Sequence, residues 1–207
     1  MNQSTKEKIL NVSIELFAQK GFKDVSVREI AAAVGIRASS LYKHYKSKDD
    51  ILDTIFNMFR EKLSVTFFPK NELLESIRVI SPESFLKESF ERFKLVMWNS
   101  DIVKISRIIA IEQQRNESVR QFFVRELIEY PTQILCYAFD LMVENNMIDP
   151  VDTGILAEEY NSYVVYLYFA QNFLSENLNL DEIERKIKQH NEFYARYILV
   201  RKGANGK

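Results

Sequence analysis

The stretch from Ser26 to Asp50 constrains the fold more than any other part of the chain. Ser26 and Glu29 have the spacing of a capping box, which predicts the start of a helix. The apolar residues of this helix recur at helical spacing; they are Val27, Ile30, Ala31 and Val34. Gly35 then predicts a helix end and a tight turn into a second short helix. Two short helices joined by one glycine are typical of a helix-turn-helix.

The second helix of this motif carries basic, hydroxyl and aromatic side chains. If Ile36 and Leu41 face inward, the side chains that can point outward are those of Arg37, Ser40, Lys43 and His44. Arginine can pair bidentately with guanine, and lysine and serine can bind phosphates or base edges. Tyr42 can pack its ring against a sugar or a thymine methyl, whereas the phase of Tyr45 favours the core. We therefore expect this helix to contact DNA.

The formal charge is divided unevenly along the chain. Residues 1–48 contain nine Lys and Arg and four Asp and Glu, a net charge of +5, so the remaining residues carry −6. A basic head on an acidic body indicates that the head alone meets a polyanion. The charge distribution alone is equally compatible with a chance cluster of solvated lysines. The lysines at positions 43, 46 and 48, so close to the motif, favour phosphate binding.

Composition argues against several other classes of protein. With 46% hydrophobic and 28% charged residues, the 207-residue chain has the composition of a soluble globular protein. No apolar run approaches about 18 residues, so neither a membrane span nor a signal peptide is expected. The single Cys136 fits a reducing cytoplasm, and two histidines disfavour a metal site. No nucleophile elbow, glycine-rich phosphate loop or zinc spacing is present, so we expect neither an enzyme nor a cofactor.

The rest of the sequence has a helical pattern. Helix 1 is expected from Ser4 or Thr5 to Lys20, and another helix from Ser47 to Phe68, where Pro69 breaks it. Further helices are predicted over residues 72–80, 82–99, 101–114, 117–145, 151–176 and 180–202. No strand is expected, so the chain is predicted to be all-α.

Three segments of the amino-terminal quarter resemble the TetR family of bacterial transcriptional regulators. They are FAQKGF at Phe17–Phe22, VSVREIAAAVGI at Val25–Ile36 and SSLYKHYKSKDDIL at Ser39–Leu52. They are similar to the family's aromatic-x-x-x-G-aromatic end of helix 1, its hydroxyl cap with an I-A-x-x-x-G core, and its L-Y-x-H/Y-F-x-[ST]-K ending. The remaining sequence resembles the family only in its helical pattern and its length.

The resemblance implies an architecture and a mechanism. Residues 1–48 would form a three-helix helix-turn-helix DNA-binding domain, 49–68 a linking helix, and 69–207 a helical ligand-binding and dimerisation domain, about nine helices in all. Because the family is mostly repressive, the resemblance implies a cytoplasmic homodimeric repressor that a small-molecule ligand releases from a pseudo-palindromic operator. The alternative is a helix-turn-helix adaptor whose body binds a protein and has no ligand switch.

The resemblance also assigns DNA contacts by position. Ser26 and Arg28 would hold phosphate at the start of the second helix, and Lys48 would clamp phosphate at the start of the fourth. The recognition-helix contacts would be Arg37, Ala38, Ser39, Ser40, Tyr42, Lys43 and His44. The family commonly has a serine-type cap at position 37. Arg37 therefore predicts a less tightly capped recognition helix, with the arginine contributing a base or phosphate contact of its own instead; the pattern leaves open which.

Aromatic residues of the body are either ordinary core or the lining of a ligand cavity. The resemblance favours a cavity, because the family's body domain usually holds one. The predicted ligand-binding residues are Phe90, Met97, Trp98, Glu112, Phe123, Tyr130 and Tyr137. Trp98 supplies a donor, and Glu112 would suit a cationic or hydroxylated ligand; it could equally be a surface acid.

The last two helices predict a dimer interface. Residues 163–170, YVVYLYFA, are apolar all round, so this helix must be buried on more than one side. The final helix repeats large residues at the alternating spacing of a helical seam. Packing within one chain is the alternative, and the family's dimerisation by its last two helices favours the interface. Its predicted residues are Tyr163, Tyr166, Leu167, Ile187, His190, Tyr194 and Tyr197.

Overall fold

The computed structural model describes residues 3–170 and 179–200, and every regular element within these ranges is helical, which confirms the predicted all-α fold. The α-helices are α1 (Thr5–Lys20), α2 (Val27–Val34), α3 (Ala38–Leu41), α4 (Lys48–Ser64), α5 (Lys70–Val79), α6 (Pro82–Met97), α7 (Ser100–Glu112), α8 (Glu117–Phe123), α9 (Tyr130–Glu144), α10 (Thr153–Phe169) and α11 (Leu180–Phe193). None of these described helices has the length and apolar character needed to cross a bilayer. The predicted continuations to residues 176 and 202 lie partly outside the described ranges.

The linking helix is shorter than predicted. α4 ends at Ser64 rather than at Phe68. Thr66 stops it, because its amide donates to the Leu63 carbonyl over 3.0 Å and its hydroxyl donates to the same oxygen over 2.7 Å. The chain therefore turns before Pro69, and Pro69 instead caps the start of α5.

The predicted single helix over residues 117–145 contains a π-helical turn at Val124–Glu129, between α8 and α9. Pro131 accounts for this turn, because it has no N–H to donate to the carbonyl of Leu127. The buried Asn161 compensates: its side-chain amide lies 3.4 Å from the Leu127 oxygen and 3.1 Å from that of Ile128. A second π-helical turn, Tyr194–Ile198, follows α11.

The chain forms two compact units. The head unit comprises Met1–Lys62 and Met97–Phe123, and the body unit comprises Leu63–Val96 and Val124–Lys207. The chain thus passes between the units after residues 62, 96 and 123. Helices α7 and α8 therefore belong with the helix-turn-helix.

The core of the head unit contains one side of each of its first three helices. Ile9 and Phe17 of α1, Ile30 of α2 and Leu41 of α3 are buried, as is Tyr45, whose phase predicted it. Each such side chain contributes roughly 1.5–3 kcal/mol through the apolar surface it removes from water. α1 begins with a complete capping box between Ser4 and Glu7, so Ser4 is the N-cap and Thr5 is the first helical residue.

Helices α7 and α8 pack within the head unit. The ring of Phe122 in α8 stacks on that of Phe56 in α4, with centroids 4.7 Å apart, and meets Phe59 edge-on at 5.9 Å. Lys104 of α7 forms an ion pair with Glu15 of α1. α7 and α8 are thus fastened to both α1 and α4.

The body unit has its own core, built around residues such as Leu73, Phe85 and Phe139. A buried polar network crosses it. The Tyr160 hydroxyl donates to Asn191 Oδ1 over 2.6 Å, and the Asn191 amide donates to the Leu86 carbonyl over 3.2 Å. This network connects α10 and α11 with α6 and gives each of these buried groups a partner.

Candidate nucleic-acid interface

The start of α2 is defined by one half of the predicted capping box. The Ser26 hydroxyl accepts the Glu29 amide over 3.1 Å. The Glu29 carboxylate binds Lys20 Nζ at 2.5 Å instead of returning to the Ser26 amide. This hydrogen bond from Lys20 lowers the pKa of Glu29. The predicted hydrogen bond from the Ser26 amide to the Glu29 carboxylate is therefore wrong, because that carboxylate pairs with Lys20 of α1.

Gly35 makes the turn of the motif as predicted. Its φ of 79° and ψ of 30° are left-handed, a conformation that costs other residues energy. The Ile36 amide donates to the Ala31 carbonyl over 2.9 Å, and the Gly35 amide donates to that of Ala32 over 3.1 Å. These two bonds close a Schellman motif and fix the direction in which the next helix leaves.

The recognition helix α3 is short and weakly capped. Arg37 is its N-cap residue with extended backbone, and its side chain makes no capping hydrogen bond. This agrees with the departure from the family pattern at position 37. After Leu41 the chain continues in tight turns, with the His44 amide donating to the Leu41 carbonyl over 2.9 Å.

The residues assigned to DNA are mostly on the surface. Exposed side chains are those of Ser26, Arg28, Arg37, Ser39, Tyr42, Lys43 and His44, and half-buried ones are those of Ala38, Ser40 and Lys48. Tyr42 is 53% exposed, whereas Tyr45, three residues on, is buried, which raises the pKa of its hydroxyl. Residues 37–44 thus present a continuous run of polar and aromatic groups above the buried Leu41.

Lys48 has partners inside the head unit. Its ammonium donates to the carbonyls of Phe22, over 2.7 Å, and Val25, over 2.9 Å. It also lies 4.3 Å from the centroid of the Phe22 ring, a cation–π contact. The turn between α1 and α2 is therefore held by the first residue of α4. The predicted phosphate contact of Lys48 stays a prediction.

Glu112 is also placed in the head unit. It is 2% exposed, so it is not a surface acid, and its Oε1 accepts the Phe22 amide over 2.9 Å. Within the described residues, its buried Oε2 has no hydrogen-bond partner. Sequence reasoning missed this contact, because no local pattern connects positions 90 residues apart.

The structure divides the predicted ligand-binding residues between the two units. Met97, Trp98, Glu112 and Phe123 belong to the head unit, and Phe90, Tyr130 and Tyr137 to the body unit. Phe90 is buried, whereas Tyr130 and Tyr137 reach the surface. The ring of Tyr130 meets that of Phe67 edge-on, with centroids 5.2 Å apart. Contact of the seven predicted residues with a ligand stays a prediction.

The predicted interface residues of α10 and α11 differ in exposure. Leu167, Ile187 and Tyr194 are buried within the chain, as the alternative of internal packing expects. Tyr166 and Tyr197 are 55% and 61% exposed. Tyr163 and His190 are half-buried, with ring centroids 4.4 Å apart in a stacked pair.

His190 lies in an aromatic cluster, which we define as His190, Tyr160, Tyr163 and Tyr194. The centroids of Tyr160 and Tyr194 both lie 4.8 Å from that of His190. Burial lowers the pKa of the imidazole and raises that of the Tyr194 hydroxyl to about 12. Among residues 3–170 and 179–200, no cluster of His, Cys, Asp and Glu has the makings of a metal site.

The capped α2, the left-handed Gly35 and the exposed run of residues 37–44 define a helix-turn-helix protein. The family model described as "Bacterial regulatory proteins, tetR family" matches residues 9–55. The repressor KstR2 of Mycolicibacterium smegmatis is 27% identical over 136 residues, 61% of this chain and 64% of that protein. Two Bacillus subtilis regulators, YerO and YttP, are 25% and 26% identical over 80% and 89% of this chain. Residues 9–55 therefore match the amino-terminal domain of the TetR family of bacterial transcriptional regulators, and the chain is similar to such regulators over most of its length.

The chain spans less than two thirds of the length of two of these relatives. The matches span 64% of the length of KstR2 and 63% of that of YerO, against 86% of YttP. Among solved structures, a TetR-family regulator from Pseudomonas syringae pv. tomato superposes with a TM-score of 0.69 at 16% identity, over 95% of this chain and 98% of that one. AibR, solved with isovaleryl coenzyme A and operator DNA, superposes with a TM-score of 0.60 at 19% identity, over 93% and 96%. These structures establish the likeness of fold.

Proposed function

We propose that this chain is a homodimeric repressor that binds a pseudo-palindromic operator and leaves it when a small molecule binds its body. Residues 1–48 read DNA, 49–68 link, and the body-unit part of residues 69–207 holds the effector and the dimer contacts. The observation that carries the proposal is the exposed run Arg37–His44, fixed on the buried Leu41 by the Gly35 turn.

The chemistry of this run suits a DNA groove. Arg37 makes no cap bond, so its guanidinium is available to a guanine edge or a phosphate. Lys43 and His44 follow on the exposed side, and Tyr42 adds a half-exposed ring with a hydroxyl. Ser26 and Arg28 at the start of α2 supply phosphate contacts, which position the head without reading sequence.

A second copy of the chain is the proposed occupant of the aromatic surface at the end of α10 and α11. Three large rings are each more than half exposed: Tyr166 in α10, Phe193 at the end of α11, and Tyr197 in the π-helical turn that follows. A dimer also supplies a second recognition helix, and two such helices about 34–36 Å apart match successive major grooves.

The proposed effector site lies in the body unit near Phe90, Tyr130 and Tyr137. The fold is compatible with both ligands, because AibR, which shares it, was solved with an acyl coenzyme A and operator DNA together. An effector that binds one separation of the two heads more tightly than the other lowers operator affinity by that difference.

DNA selection followed by fluorescence anisotropy tests the proposal. Purified full-length protein is used to select fragments from a random DNA library, and we expect an inverted repeat. Arg37→Ala is expected to lower affinity for the selected DNA about 5- to 150-fold, the value of a good bidentate pair. Arg78→Ala removes one positive charge from the exposed surface of the body unit and is the matched control.

Three results would contradict the proposal separately. Selection without any enriched sequence would refute sequence-specific DNA binding. Sedimentation as a monomer on the selected DNA, with only one half-site protected, would refute the dimer. If a thermal-shift screen of metabolites finds compounds that raise the melting temperature but none that releases DNA, the ligand-switch hypothesis is refuted. The alternative of a DNA-bound adaptor then remains.

A further inference from the structure

We infer that Glu112 is a positioning residue for the DNA-reading head. Its carboxylate, at the end of α7, fixes the turn between α1 and α2 and with it the orientation of the helix-turn-helix. The inference rests on the proposed DNA binding and adds a residue that lies far from the exposed run in sequence and makes no DNA contact of its own.

The main-chain amide and the main-chain carbonyl of Phe22 are hydrogen-bonded to two different helices. Glu112 Oε1, on α7, accepts a hydrogen bond from the Phe22 amide over 2.9 Å. Lys48 Nζ, on α4, donates a hydrogen bond to the Phe22 carbonyl over 2.7 Å. The Phe22 ring is itself buried and meets Phe17 edge-on, with centroids 5.2 Å apart. Phe22 therefore cannot shift without breaking a hydrogen bond to α7 or to α4.

This turn leads straight into the motif. Val25, three residues after Phe22, is buried and accepts a second hydrogen bond from Lys48, over 2.9 Å. Ser26 follows as the N-cap of α2, and Gly35 fixes α3 to the end of α2. A displacement at Phe22 is thus passed through an eight-residue helix to the recognition helix.

Stability alone gives no reason for a carboxylate at this position. Glu112 is buried, and its Oε2 has no hydrogen-bond partner in the described part of the chain. Burying such a group costs free energy, and a methionine would fill similar space without that cost. What the carboxylate adds is a directed hydrogen bond to a main-chain amide, which an apolar side chain cannot make.

Two full-length variants test the inference, Glu112→Met and Glu112→Gln. The first removes the acceptor, and the second keeps an oxygen for the Phe22 amide. Gln113→Met is the matched control: Gln113 is the next residue, it is also buried, and its amide lies 3.4 Å from the Ala110 carbonyl, away from the turn. Hydrogen exchange of the Phe22 amide reports the bond, and anisotropy reports affinity for the selected DNA.

We expect Glu112→Met to speed exchange of the Phe22 amide about tenfold and to weaken operator binding about tenfold, within the usual range of coupling between sites. The dependence of binding on salt should stay unchanged, because no phosphate contact is lost. Glu112→Gln should stay within about threefold of the wild type in both readouts. Gln113→Met should leave exchange at Phe22 and DNA affinity as they are, whatever it does to the melting temperature.

A faster Phe22 exchange in Glu112→Met with wild-type operator affinity would overturn the inference, since Glu112 would then only stabilise the fold. Equal weakening by Gln113→Met would overturn it as well, because the effect would not be specific to the turn. If the wild type itself selects no DNA sequence, the proposed function fails, and the exchange data still show whether Glu112 holds the turn.

Discussion

Replacing Lys48 by methionine separates two roles for this residue. The substitution keeps the length of the aliphatic stem and removes the ammonium. That ammonium now donates to the Phe22 and Val25 carbonyls over 2.7 and 2.9 Å, and it covers the Phe22 ring. The family resemblance instead assigns it to a DNA phosphate. The structural contacts predict a loss of stability, and the phosphate contact predicts a change in the salt dependence of binding.

The magnitude follows from the two hydrogen bonds. A hydrogen bond to a charged group contributes roughly 1.5–3 kcal/mol, and ordering a long, half-buried lysine offsets part of the sum. We expect the free energy of unfolding to fall by about 2 kcal/mol. For a chain of this size, that corresponds to a drop in melting temperature of about 4–8 °C.

Urea unfolding and DNA binding as a function of salt are the assays. Lys62→Met is the control, because Lys62 is an exposed lysine at the other end of the same helix and its loss should change stability by less than about 0.5 kcal/mol. If Lys48→Met unfolds with the wild-type midpoint and its salt slope falls by about 0.9, the ammonium serves a phosphate and our structural account of it is refuted.

Three further predictions concern single groups. Asn161→Leu should cost about 2 kcal/mol in urea unfolding, because the Leu127 carbonyl loses the side-chain amide of Asn161 at the π-helical turn, whereas the Ile128 carbonyl keeps the Thr132 hydroxyl as a donor; an unchanged midpoint would count against this role. Gly35→Ala should cost about 1–2 kcal/mol through its left-handed backbone alone, since the added Cβ meets nothing within 4 Å. Burial lowers the pKa of His190, so the unfolded chain takes up its proton first, and stability should fall as the pH drops below about 6.5. The His190→Phe variant should lack that part of the pH dependence when urea midpoints at pH 7.5 and pH 5 are compared.

Local chemistry predicted the motif well. Helix caps and the glycine turn depend on residues within a few positions of each other, so Ser26, Gly35 and the uncapped Arg37 could be read from sequence. The same locality explains the buried Tyr45 and the exposed Tyr42, which differ only in helical phase.

Contacts between distant segments could not be predicted in this way. Glu112 and Phe22 are joined only by the packing of α7 within the head unit, and the apolar run before Glu112 gave no sign of its partner. The π-helical turn had a local signal in Pro131, but the donor that stabilises it, Asn161, comes from α10. Whether the carbonyl of Leu127 finds a partner is decided by tertiary structure.

The head unit is discontinuous in sequence, and this limits how the protein can be cut or recombined. A fragment that ends at Lys62 contains the whole helix-turn-helix and most of α4, yet it lacks α7 and α8. Such a fragment would expose the ring of Phe56 that stacks on Phe122, and would leave the Phe22 amide without its acceptor. Exchange of the first 62 residues with a relative would separate surfaces that fit each other. New DNA specificity is therefore more readily transplanted as a few exposed side chains between Arg37 and His44 than as an intact amino-terminal segment.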